Sequence, residues 1–210
     1  MAAEAPFDPL ALDNIGVVLA VELLSQPLHP LPPSAFAGAG VYALYYGGGH
    51  EPYRDLVALD AQRWRYPIYI GQATSSGFSL GATLKKRIHE RLRNHAQSID
   101  QAENLDLADF RCRYLIINDA HIALAESVLI TAFRPPWNGM GFGSKVVGKF
   151  RMEGAVSIWD SIHPGRGGRP AGLQRAEEAA TKVSESIATL TQEPDDQRIR
   201  WMLERIRKFL

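Results

Sequence analysis

Cysteine is almost missing from this chain: Cys112 is the only one in 210 residues. That excludes an intrachain disulfide and a cysteine-based zinc cluster, and it fits a cytoplasmic protein. Long apolar runs are missing as well, none approaching the ~20 residues a membrane span needs, so no membrane partner is expected. The opening MAAEAPFDPL has no basic stretch, and no signal peptide is expected from it. Net charge is absent too, with 23 basic residues against 23 acidic ones. Overall charge therefore selects no partner.

Its distribution says more. No Lys or Arg precedes Arg54, whereas Glu4, Asp8, Asp13, Glu22 and Glu51 do. KKRIHERLRNH, residues 85–95, carries five basic residues and one acid, and DQAENLDLAD after it has four acids and no base. Residues 143–175 hold six basic residues against Glu153 and Asp160. Two concentrated basic segments suit a polyanion on one face, although a solvated helix face has the same composition.

Periodicity and breakers give the elements. DNIGVVLAVELLS, residues 13–25, reads as a helix capped by Asp13 or Asn14, and a proline-rich loop stops it. GVYALYY at 40–46 and YPIYIG at 66–71 read as strands, with an ambiguous excursion between them. A helix is predicted from Thr83 to about Ile99, with Leu84, Ile88 and Leu92 on one face. FRCRYLII at 110–117 reads as a third strand, and Asp119 caps a helix that Pro135 and Pro136 end after Phe133. The order gives an α+β fold, a small three-stranded mixed sheet covered by helices. HPGRGGRPAG, residues 163–172, reads as a linker or exposed arm. Two amphipathic helices follow, with apolar seams through Val183, Ile187 and Leu190 and through Met202 and Ile206. They pack on the core or on another subunit.

Several polar residues fit no packing role. Tyr42 and Tyr69 lie on the two tyrosine-rich strands. Arg91 and His95 are four apart on one helix and so are neighbours. Glu126 interrupts an apolar helix, where a carboxylate is costly unless paired or metal-bound. Asn138 directly follows the double proline and a tryptophan. Singly, each has a plainer explanation in cross-strand packing, a solvated face, a stripe edge or a turn.

As an ordered set they resemble the GIY-YIG endonuclease superfamily. Gly40-Val41-Tyr42 is the first signature, with Val for Ile, and Tyr69-Ile70-Gly71 the second. Arg91 with His95, Glu126, and Asn138 in PPWN complete the pattern. NIGVVLAVELL, GVYALYYGG and RLRNHAQSI resemble the type II restriction branch that cuts CCGCGG. The 27-residue separation of Tyr42 from Tyr69 implies an insertion at 47–66. The resemblance implies antiparallel signature strands and a catalytic domain at 38–150. An N-terminal helix and proline-rich arm (1–37) precede it, and an arm with C-terminal helices (151–210) follows.

It further implies site-specific hydrolysis of double-stranded DNA by a homodimer. Tyr42 acts as base with His95, Tyr69 positions the phosphate or water, and Arg91 binds the phosphate. Glu126 holds Mg²⁺, with Mn²⁺ able to substitute, and Asn138 orients the site. Arg54, Arg63, Arg65, Lys145, Lys149, Arg151, Arg166 and Arg169 are the candidate DNA contacts. A repair or homing nuclease of the same superfamily, or a non-catalytic DNA-binding protein on the fold, are the competing readings.

Overall fold

The run 40–46 is apolar throughout because it is covered on both sides. A computed structural model of the chain describes residues 8, 10–61, 63–74, 87–143, 157–166 and 176–208. In it, strand β2 (Gly40–Tyr46) is buried at every position. Tyr42, Leu44 and Tyr46 face a core shared with helix α3 (Arg87–Asp100) through Ile88, Leu92 and Ile99. Val41, Ala43 and Tyr45 face a second core shared with α1 (Leu12–Ser25) and α4 (Asp119–Phe133). A strand buried on both faces loses the polar alternation of a half-exposed one.

The sheet has four strands, not three, and is wholly antiparallel, not mixed. Its order is β1 (His29–Pro30), β4 (Phe110–Ile116), β2, β3 (Tyr69–Ala73). The extra strand is two residues of the proline-rich loop, paired with Arg111 and Cys112, too short to leave a period in the sequence. β3 and β4 both run antiparallel to β2, which lies between them. The connection through α3 thus joins parallel strands that are never neighbours.

The excursion between β2 and β3 contains a 3₁₀ turn (Glu51–Tyr53) and helix α2 (Arg54–Asp60). Helix starts differ slightly from expectation. Ala11, with no side-chain bond, precedes α1, and Asn118 caps α4 by accepting from the Ala120 N–H. The predicted start of the third helix at Thr83, with Leu84, lies outside the described residues.

His163 and Arg166 do not belong to an exposed arm, for both are buried. They follow α5 (Ile158–Ile162), and the glycine and proline around them signal a turn rather than exposure. Helix α6 (Ala176–Thr191) lays Ala179, Val183, Ile187 and Leu190 on the α3-side core. Helix α7 (Gln197–Arg207) lays Met202 and Ile206 on the other, against α1 and α4. Both apolar seams are therefore used within the chain.

Candidate active site

The antiparallel register sets Tyr42 of β2 opposite Gly71 of β3. A Cβ on Gly71 would stand 2.6 Å from the Tyr42 hydroxyl and 2.7 Å from the ring carbon bearing it. The second signature's glycine thus makes room for the first signature's tyrosine. Gly40 serves the next strand: at φ +151° its missing Cβ would run into the Leu115 carbonyl oxygen. Of the three tyrosines on β2, only Tyr42 reaches the site. Tyr45 lies on the opposite face under the Arg113 guanidinium, 5.0 Å from the ring centroid, and the Tyr46 hydroxyl accepts the His50 N–H at 2.9 Å.

The Tyr42 hydroxyl is hydrogen-bonded to His95 Nε2 at 2.8 Å. The Tyr69 ring meets the same imidazole edge-on at 5.2 Å and lies 6.3 Å from the Tyr42 ring. Arg91 sits one turn before His95 on α3, and Glu126 comes from α4. Burial raises the Tyr42 phenol well above its ordinary pKa; neighbouring Tyr69 and Glu126 add to the rise and Arg91 opposes it. Burial also raises Tyr69, with Glu126 adding to it and Arg91 opposing. The Glu126 carboxyl is raised by burial and held back by Arg91 and by the Gln72 backbone N–H, which donates to it. Both phenols, the guanidinium and the carboxylate therefore share one electrostatic environment around the imidazole.

Asn138 works through the backbone of β3, the edge strand. Its Oδ1 accepts the Ile70 N–H at 2.9 Å and its Nδ2 donates to the Ile70 carbonyl at 2.8 Å. The Trp137 N–H donates to the Ile68 carbonyl at 2.9 Å. The PPWN segment thus pairs with the open edge of β3 as a further strand would, and the Asn138 carboxamide stands in for a peptide group. The Gln72 N–H, two residues along the same edge, is the one that meets Glu126.

Sequence reasoning missed two neighbours in the glycine-rich loop. Phe142 stacks on His95 at 4.8 Å and meets Tyr69 edge-on at 5.1 Å. A Cβ on Gly143 would stand 2.6 Å from the Tyr69 hydroxyl. Only the spacing of glycines around one aromatic residue hinted at this.

The family described as the Eco29kI GIY-YIG domain matches residues 34–191. The chain belongs to that family. No curated protein matches the chain. Membership makes this a GIY-YIG nuclease domain of restriction type, acting on DNA. α1 and α7 flank the Eco29kI-type domain, outside the matched residues.

The basic residues proposed for DNA divide into three groups. Arg54 and Arg63 are exposed on the excursion, Arg54 ion-paired with Glu51 at 2.9 Å; Arg65 is half-buried, its backbone N–H donating to Asp60. Arg166 is a correction: its Nε donates to Asp160 at 2.6 Å and its guanidinium lies 4.4 Å from the Trp159 ring centroid. Only 7% exposed, it braces α5 instead of reaching DNA. Lys145, Lys149, Arg151 and Arg169 lie outside the described residues.

Proposed function

We propose that the chain is a type II restriction endonuclease. It hydrolyses phosphodiester bonds in double-stranded DNA at a G·C-rich palindrome, CCGCGG by the resemblance of its flanking segments. The reading is of a homodimer, because a palindrome presents the same half-site twice. Its catalytic unit spans 38–150, with a helix and proline-rich arm before it and an arm with C-terminal helices after it. Among the described residues no helix is long and apolar enough to cross a membrane.

The observation that carries the reading is the Tyr42–His95 hydrogen bond set among Tyr69, Arg91 and Glu126. In the mechanism it supports, water attacks the phosphorus and loses its proton to the Tyr42 oxygen as the Tyr42 proton passes to His95. Burial holds the phenol protonated, so this transfer needs the imidazole in contact. Arg91 offers a fixed fork of donors to the negative charge gathering on the phosphate. Tyr69 positions the phosphate or the water, and Asn138 keeps β3 in register beneath them.

The donor set fits one divalent cation, Mg²⁺ or Mn²⁺, on Glu126. That carboxylate is half-buried and oriented by the Gln72 N–H, and no cluster of three ligating side chains occurs among the described residues. A hard cation that keeps most of its waters needs no more than one or two carboxylates. When bound, it would supply positive charge to the scissile phosphate and the departing 3′ oxygen.

Incubation with plasmid DNA and Mg²⁺, followed by sequencing of the ends, tests the proposal. Discrete fragments with one recurring end sequence are expected. Smears or structure-dependent nicks would point to a repair or homing role, and intact plasmid in both Mg²⁺ and Mn²⁺ to a non-catalytic DNA-binding protein.

A further inference from the structure

Helix α7 carries Arg198, Arg200, Arg205 and Arg207, with Lys208 just beyond, against one acid, Glu204. Its apolar residues Met202 and Ile206 are spent on the core, so the helix has no greasy face left for a lipid surface. What remains outward is its charge. Near its end, Arg207 and Arg134 line one cleft together with Tyr66 and Phe133, and among the described residues no acidic one lines it. Neither guanidinium makes an ion pair with a described carboxylate.

Arg134 is itself the left-handed residue that ends α4, at φ 46°. Among the described residues its Nη2 has only long contacts, to the carbonyls of Leu190 at 3.4 Å and Gln192 at 3.3 Å, and its buried Nε has no partner. Burial and the neighbouring Arg207 both lower its pKa. Two guanidiniums lining one cleft with no described carboxylate paired to either form a site for an oxyanion, and a phosphate diester matches their donor geometry.

The cleft adjoins the site along the chain. Tyr66 precedes the site residue Tyr69 by three residues, about 10 Å of extended chain, and Arg134 precedes Asn138 by four. We propose that Arg134 and Arg207 form a second phosphate subsite, which holds a backbone phosphate of the bound DNA away from the scissile one. The proposal rests on the nuclease reading. It assigns to α7, which lies outside the matched domain, a sequence-independent grip on the duplex.

The test uses full-length protein and two labelled duplexes, one with CCGCGG and one without, in EDTA so that no strand is cut. Dissociation constants are measured across a salt series. Arg207→Ala should weaken both duplexes several-fold and alike, and flatten the slope of log affinity against log salt by about 0.9. Arg207→Glu should weaken them further, and Arg207→Lys should restore part of the loss. Arg207 is exposed, so folding is not at stake; Arg134 also holds the end of α6 and is left intact. Unchanged affinity and slope in both Arg207→Ala and Arg207→Glu would overturn the subsite. Inorganic phosphate that raises the melting temperature of the parent but not of Arg207→Ala, with DNA binding unchanged, would make it a free-phosphate site and overturn it too. In either case the parent would still cut plasmid. A parent that neither binds nor cuts DNA overturns the nuclease reading and the subsite with it.

Discussion

The Tyr42 hydroxyl and the His95 imidazole are joined by a 2.8 Å hydrogen bond beneath the surface, with Tyr42 1% and His95 4% exposed. The ring is a core residue, and in the proposed mechanism only its oxygen takes part. The proton it holds can leave only toward a group already in contact.

Tyr42→Phe should therefore cost both activity and stability. Removing the hydroxyl deletes the proton relay, a loss of about 10²–10⁴-fold in cleavage rate. It also removes a buried hydrogen bond of His95, a cost of about 1–3 kcal/mol. Single-turnover cleavage and urea denaturation, run on the same preparation, separate the two. Wild-type cleavage in this variant would remove Tyr42 from the mechanism.

The motif was legible because each part fixes its own local geometry. Four residues on a helix bring Arg91 beside His95, and an antiparallel hairpin brings Tyr42 opposite Gly71. The pleat, in contrast, leaves no mark in a run buried on both faces, so periodicity alone does not separate Tyr42 from Tyr45 and Tyr46. Strand β1 went unread because two residues carry no period. His163 was misread because its partner Tyr53 lies 110 residues away in sequence, and Arg166 because the glycines and prolines around it mask its local pairing with Asp160 and Trp159. Phe142 reaches His95 through a glycine-rich turn whose path no side-chain pattern records.

Glu126→Gln keeps the shape of the side chain and removes its charge. If Glu126 holds the cation, Mn²⁺ affinity measured by titration calorimetry should fall and cleavage should drop by at least about 10²-fold. Duplex binding in EDTA should not weaken, because Glu126 meets the cation and not the bases. A variant that cuts at the parent rate in Mg²⁺ would end the metal assignment.

Asn138 is tied to the Ile70 backbone on both sides of its carboxamide, which makes it a positioning residue. Asn138→Ala orphans an N–H and a carbonyl at the edge of β3, a loss of about 1–3 kcal/mol and a melting temperature lower by about 2–4 °C for each kcal/mol. Asn138→Asp can still accept the Ile70 N–H but sets a charged oxygen against the Ile70 carbonyl, so it should not rescue. Calorimetry checks the stability and cleavage follows it down. Lost activity at an unchanged melting temperature would mean that the amide acts on the substrate directly.

The last prediction concerns acid stability. The Trp137 indole N–H can only donate, and it does so to the Tyr53 hydroxyl at 2.8 Å. Tyr53 in turn lies 2.6 Å from His163 Nε2, and His163 Nδ1 lies 2.8 Å from Asn104 Oδ1. Asn104 Nδ2 donates to the Ile162 carbonyl, which fixes Oδ1 as the side facing the imidazole. The chain closes only if Tyr53 donates to Nε2 and a neutral imidazole donates through Nδ1. Burial first, and then His50 and Arg166, lower the His163 pKa to about 3 from an ordinary 6.5. The folded state thus favours the neutral form, so the contribution is complete above about pH 6.5 and is lost as pH falls toward 3. Within that window it declines by about 1.4 kcal/mol per pH unit. His163→Gln should be less stable than the parent at pH 7 but should lack this part of the acid slope. Urea denaturation at pH 7, 6, 5 and 4 should show the gap between the two proteins narrowing with acid. A gap of constant size would mean that His163 is not held neutral by the fold.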